Sequence, residues 1–347
     1  MSESPQPGAT AADKQPWIPL LAAYRDPSPA RSLFEIAVTF LPFAGFWTLA
    51  WAAVHLGYWQ LSPLPSLLAA GLLVRLFMIQ HDCGHGAFFR RRAANDWVGR
   101  AIGVLTLTPY DAWRRAHAVH HAGAGNLGRR GVGDIDTLTV AEYRVLPLWR
   151  RLRYRCYRHP LVMFGIGPIY LFVLRHRLPL GGRGSRNDWP SAMATNIAVA
   201  GLFGGLIWLV GTGPFLQVQL PITLTAGAAG VWLFYVQHQF EETYWSENGA
   251  WCPEQAALRG SSHYHLPGVL RWLTANIGIH HVHHLASRIP YYRLPRVLRD
   301  HPELAGTSRL TLRQSLGCVR LALWDETQNR LVSFREARRS NGTPDAG

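Results

Sequence analysis

Four stretches of the chain are nearly free of charge over roughly 20 residues, the length an α-helix needs to cross a hydrocarbon core. They are Ile36–Val54, Leu61–Gln80, Met193–Val210 and Phe215–Val236. They come in two pairs, joined by very short turns around Tyr58–Gln60 and Gly211–Pro214. The pattern predicts an all-α integral membrane protein built on two transmembrane helical hairpins. Paired order makes this a better reading than four buried helices of a soluble protein. Two shorter apolar stretches, Trp97–Tyr110 and Leu161–Leu174, sit among arginines. At about 14 residues each they are too short to span alone, which predicts interfacial or re-entrant helices.

Charge orients the hairpins. The 347 residues carry 35 Lys+Arg against 21 Asp+Glu, a formal +14, and every basic residue except Lys14 is an arginine. Such a balance points to phosphates, and its distribution selects the membrane over nucleic acid. Of the 35 basic residues, 34 lie in Met1–Glu35, His81–Ala192 and Gln237–Gly347, while the two short turns carry none. By the positive-inside rule these three segments share the cytoplasmic side. Arg75 alone lies within a span, near enough to its end to snorkel. The basic-aromatic stretch Trp149–Arg158 suits either a membrane-surface belt or a solvated loop.

The expected organisation is a flexible cytoplasmic tail over residues 1–32, a membrane domain over 33–302 and a cytoplasmic C-terminal region over 303–347. A Gly/Arg-rich loop, Gly181–Arg186, leads into the second hairpin. The polar N-terminus lacks the order of a signal peptide. The four cysteines (Cys83, Cys156, Cys252 and Cys318) lie far apart and read as reduced thiols.

Histidine carries the chemistry. Most of the 16 histidines are bunched in three clusters: His81-Asp82-Cys83-Gly84-His85, His117-Ala118-Val119-His120-His121 and His280-His281-Val282-His283-His284. Positions i, i+3 and i+4 share one helical face, so each cluster aims its imidazoles at one point. His281 breaks the spacing and should point away. The first cluster alone resembles the H-E-x-x-H zinc site with Asp82 in place of glutamate. Together, eight ligands exceed one tetrahedral zinc or one haem and match a dinuclear site. Imidazole suits iron, copper, zinc and nickel alike, and the Glu-x-x-His motif of soluble di-iron bundles is absent from the sequence.

His238, directly after the fourth run, is a ninth candidate, and Asp82 and Glu241 are candidates to orient the ligands from behind. His263 and His265 read as supporting, substrate-side or plain surface groups. His55 reads as structural, and His159, His176 and His301 have no supporting pattern.

HDCGH, HAVHH and HHVHH, in this order around two hydrophobic hairpins, resemble the three histidine boxes of the membrane fatty acid desaturases. VQHQFEETYW (236–245) and NIGIHHVHHL (276–285) are similar to the bacterial acyl-lipid branch related to delta-12 and omega-3 desaturases. The resemblance implies a non-haem di-iron centre with O2 as co-substrate, a helical fold with a cytosolic cap, and electrons from a ferredoxin or similar carrier. It implies an acyl substrate entering from the lipid of a bacterial inner membrane, with the active site on the cytoplasmic side. The family's ligands fall on His81, His85, His117, His120, His121, His280, His283 and His284, with His238 as the added one. Removing hydrogen from an unactivated CH2 group is beyond general acid–base catalysis and needs an activated oxidant. Tyr110, Trp113 and Trp245 are candidates to line the acyl channel. Three readings compete: hydroxylation of an alkane, acyl chain or carotenoid by the same scaffold; a zinc protease built on His81 and His85; and a metal-binding transporter. The last would need polar residues at mid-membrane, whereas these histidines lie at span ends.

Overall fold

The computed structural model describes residues 16–179 and 188–339. Residues 1–15 of the expected tail, the Gly181–Arg186 loop and residues 340–347 lie outside the described residues.

Among the described residues, four helices are long and apolar enough to cross a membrane: Pro29–His55, Pro63–His85, Asp188–Val210 and Thr212–His238. The chain is a membrane protein that is mostly helical. The first helix starts where the Ser28 hydroxyl accepts from the Arg31 N–H and Pro29 fills the first helical position. The second and fourth continue past their apolar runs and carry His81, His85 and His238 in their last turns. The second stops at Gly86, whose φ of 67° a side chain would disfavour, with the Ala87 N–H returning to the Asp82 carbonyl.

The second helix is the axis of the molecule. It packs on the first and fourth spans and on the helices Arg92–Leu105 and Tyr110–Gly123. Its apolar residues Leu72, Leu73, Leu76 and Ile79 belong to the main core. Arg75 does not snorkel. It is buried against Glu35 of the first span, bonds Thr39 Oγ1 at 3.1 Å, donates to the Trp272 carbonyl and stacks on the Trp272 ring at 4.2 Å. A carboxylate one helix away and a nearby carbonyl answer the charge locally, so it has no reason to reach for the interface.

Neither short apolar stretch forms a straight span. The first is the helix Arg92–Leu105, with Trp97 exposed. The second, Leu161–Arg175, contains π-helical turns and bends by 59° from the helix Leu148–Tyr157.

Two small sheets correct the all-α expectation. Strand β1 (Leu138–Thr139), β2 (His263–His265), β3 (Arg309–Thr311), β4 (Leu321–Asp325) and β5 (Arg330–Ser333) are each too short to leave a period-2 signature. β2 pairs with β3 in parallel, and β1 pairs with β4, which pairs in turn with β5. These pairings fasten described residues beyond 302 to the body of the protein. Residues 16–32 are equally integrated. Trp17 and Leu21 are fully buried, and Trp17 meets the His301 ring edge-on at 5.5 Å.

Candidate metal centre

Nine imidazoles converge from four helices into two groups. The larger holds His81, His85, His117, His121 and His283, and the smaller His120, His238, His280 and His284. In each group the possible ligand nitrogens lie within 4.8 Å of one another. Helix geometry explains the division. The i,i+4 pairs His81/His85 and His117/His121 face the larger group, and the pair His280/His284 faces the smaller. The i+3 members cross over, His283 to the larger group and His120 to the smaller. His238 stands alone where a fourth pair would be, which leaves the smaller group one imidazole short. The His121 and His284 rings stack at 4.1 Å and tie the groups together.

The inward nitrogens are Nε2 throughout. In the larger group His117 Nε2 lies 2.9 Å from that of His81, 3.0 Å from His85 and 3.1 Å from His121, and His283 lies 3.2 Å from His121. In the smaller group His238 lies 3.2 Å from His120 and 3.1 Å from His280, and His284 lies 3.1 Å from His280. With a metal–nitrogen bond of about 2.1 Å, adjacent octahedral ligands sit about 3.0 Å apart and tetrahedral ones about 3.4 Å. The spacings, 2.9–3.2 Å, are those of donors gathered around one ion in each group.

Proton placement agrees. His120 Nδ1 donates to Asp134, which is 9% exposed, and His238 Nδ1 donates to the Gly260 carbonyl at 3.1 Å. Each outward proton leaves an Nε2 lone pair facing inward. Burial first, and neighbouring imidazoles second, hold His117, His121, His280, His283 and His284 well below the ordinary histidine pKa, so they are neutral. Neutral imidazoles this close cannot satisfy one another by hydrogen bonding alone. A bound cation resolves the conflict, so the donor set fits a metal centre.

Asp82 is buried beside His81, and its Oδ2 accepts the Tyr291 N–H at 2.7 Å, which fixes the chain just after the third cluster. Glu241 corrects the expectation. It is exposed and pairs with Arg330, while the Gly260 carbonyl serves His238. Tyr110 also stands apart from the histidines, for its ring lies over Gly99 and its hydroxyl donates to Asp96 at 3.1 Å. Trp113 stacks on His117 at 4.7 Å, made possible by Gly84, where a Cβ would stand 2.8 Å from the indole. Trp245 is buried in a small cavity wall with His120, Asp134 and His238. His281 turns away, with Nε2 2.9 Å from the Leu304 carbonyl, and His263 Nδ1 donates to the Ala305 carbonyl at 2.7 Å. Sequence reasoning missed Asp134. The one available signal is Gly133 before it, whose φ of 71° lets the turn approach His120.

Fold and site define a mostly helical membrane protein with a histidine-rich candidate dimetal centre. The chain belongs to the fatty acid desaturase family, whose sequence model matches residues 57–315 and so contains all nine imidazoles. A fatty acid desaturase of Bacillus subtilis strain 168 is 43% identical over 315 residues, covering 91% of this chain and 89% of the relative. Two Synechocystis proteins are more distant. An sn-1 acyl-lipid omega-3 desaturase (ferredoxin) is 28% identical, covering 78% of this chain and 75% of its own, and an sn-1 oleoyl-lipid 12-desaturase is 27% identical, covering 70% of each. The protein is an oxidoreductase of fatty acid metabolism.

Proposed function

We propose that each imidazole group holds one iron and that this non-haem di-iron centre places a double bond in the acyl chain of a membrane lipid. The observation that carries the reading is the convergence of nine imidazoles into two groups, each close enough to hold one ion. The ligands are His81, His85, His117, His121 and His283 for one iron and His120, His238, His280 and His284 for the other. The five imidazoles of the larger group exceed the four ligands of a tetrahedral zinc, which favours iron. The acyl-lipid and ferredoxin descriptions of the Synechocystis relatives support a lipid-linked substrate and a ferredoxin-type donor.

A –CH2–CH2– unit becomes –CH=CH–, and its two hydrogens, with two electrons from the carrier and two protons from solvent, reduce O2 to two waters. The iron pair would supply the oxidant for hydrogen abstraction from an unactivated carbon. The chain's own residues orient and shield. Asp134 and the Gly260 carbonyl fix the rings of His120 and His238. Trp113 and Trp245 exclude water beside the two groups and offer apolar walls to an acyl chain. The four spans form two hairpins, and the arginine distribution supports a site on the cytoplasmic face of a bacterial inner membrane.

Expression in a host lacking polyunsaturated lipids tests the reading by mass spectrometry of its lipids. A new double bond is expected with the wild type and none with His120→Ala. A product that persists in the variant, or a hydroxylated product, would overturn it.

A further inference from the structure

A second cavity opens away from the histidine groups, between the helix Gly268–Leu273, strand β2 and the helix Leu294–Asp300. Including its open mouth it encloses about 1070 Å³. Arg271, Arg299 and Arg309 line it with His265 and Asn276, and no carboxylate does. The adjacent Asp300 is engaged elsewhere, accepting from the Tyr24 hydroxyl at 2.7 Å and from Arg296 at 3.3 Å. The walls are firm, since β2 and β3 pair in register, His263 opposite Arg309 and His265 opposite Thr311. Three guanidiniums around one hollow are a phosphate-recognising set, because each offers a planar fork of donors.

The surroundings say which phosphate. Arg271 belongs to a short helix whose Val269 is 72% exposed and whose Leu270 and Trp272 are also exposed. That helix is fastened to the second membrane span: Leu273 packs at Gly71, and the Trp272 carbonyl receives Arg75. An apolar face anchored against a membrane-crossing helix lies in lipid, and the Arg271 guanidinium on the same helix then snorkels towards headgroup level, where Arg299 and Arg309 from neighbouring elements line the same hollow. A soluble acidic protein would have to cover those apolar residues as well.

We propose that this cavity binds the phosphate of an anionic membrane phospholipid. The site is separate from the imidazole groups, and its test reads binding rather than turnover, so its failure would leave the desaturase reading untouched.

Full-length protein in detergent is titrated with phosphatidylglycerol and with diacylglycerol of the same chains, and bound lipid is counted by native mass spectrometry. Phosphatidylglycerol is expected to bind and diacylglycerol not to. Each of Arg271→Gln, Arg299→Gln and Arg309→Gln should weaken binding about fivefold, and the triple variant about a hundredfold. Unchanged iron content and elution volume would show that the variants fold. Should the triple variant misfold, the single variants decide, and three without effect overturn the proposal. It is also overturned if inorganic phosphate alone binds as tightly, marking a soluble-phosphate site. The same holds if the substitutions abolish capture of a ferredoxin while lipid binding is unchanged.

Discussion

Replacing Asp134 probes how the protein holds its metals without touching a ligand. The carboxylate accepts the Nδ1 proton of His120, one of four imidazoles in the smaller group, and is 9% exposed. His238 in the same group rests on a neutral carbonyl, so Asp134 is the charged support of that group. Loss of such a partner behind a ligand lowers metal affinity about 10- to 100-fold, or about 1.4–2.8 kcal/mol. Asp134→Asn keeps the shape and an acceptor oxygen and should fall near the tenfold end. Asp134→Ala also strands the buried His120 proton and should fall near the hundredfold end. Equilibrium competition with a chelator, with metal counted per chain, measures both. Release should become biphasic in the variants, one metal leaving early while the other keeps its wild-type affinity. Wild-type retention in both variants, or equal weakening of both metals, would refute the reasoning.

Three further outcomes are expected. Arg75→Met removes one of the two arginines on the buried Glu35 carboxylate and leaves it the half-exposed Arg31, so it should cost no more than about 3–5 kcal/mol, with Arg75→Met/Glu35→Gln costing less than the sum of its parts. Reversible unfolding in mixed micelles checks this, and additive costs would contradict the pairing. Gly84→Ala drives a methyl to 2.8 Å from Trp113 and should cost about 1–3 kcal/mol in the same assay, and wild-type stability would contradict the close packing. Glu241→Ala should change stability by less than about 1 kcal/mol and leave metal content intact, because its exposed pairing with Arg330 lies apart from the histidines. A loss of metal there would restore Glu241 as a support.

What was legible in the sequence is what local periodicity encodes. The four spans follow from run length, and helical spacing within 81–85, 117–121 and 280–284 brings their imidazoles onto shared faces. His238 was findable because it ends an apolar run. The division into two groups was not, since it depends on how the helices cross. Pairings between distant segments were equally hidden. Arg75 meets Glu35 and Trp272, and Asp134 meets His120 through a glycine turn with no hydrophobic pattern. Glu241 sits almost one turn beyond His238, but the helix ends at His238 and the chain turns its carboxylate outward. Strands of two to five residues are too short for alternation to register.

The central claim is that nine imidazoles hold two irons, and iron K-edge X-ray absorption on the purified full-length protein, with metal counted on the same sample, tests it most directly. The expected result is two irons per chain with at least four imidazole nitrogens on each. Zinc in place of iron, one metal per chain, or a shell dominated by carboxylate oxygen would contradict it.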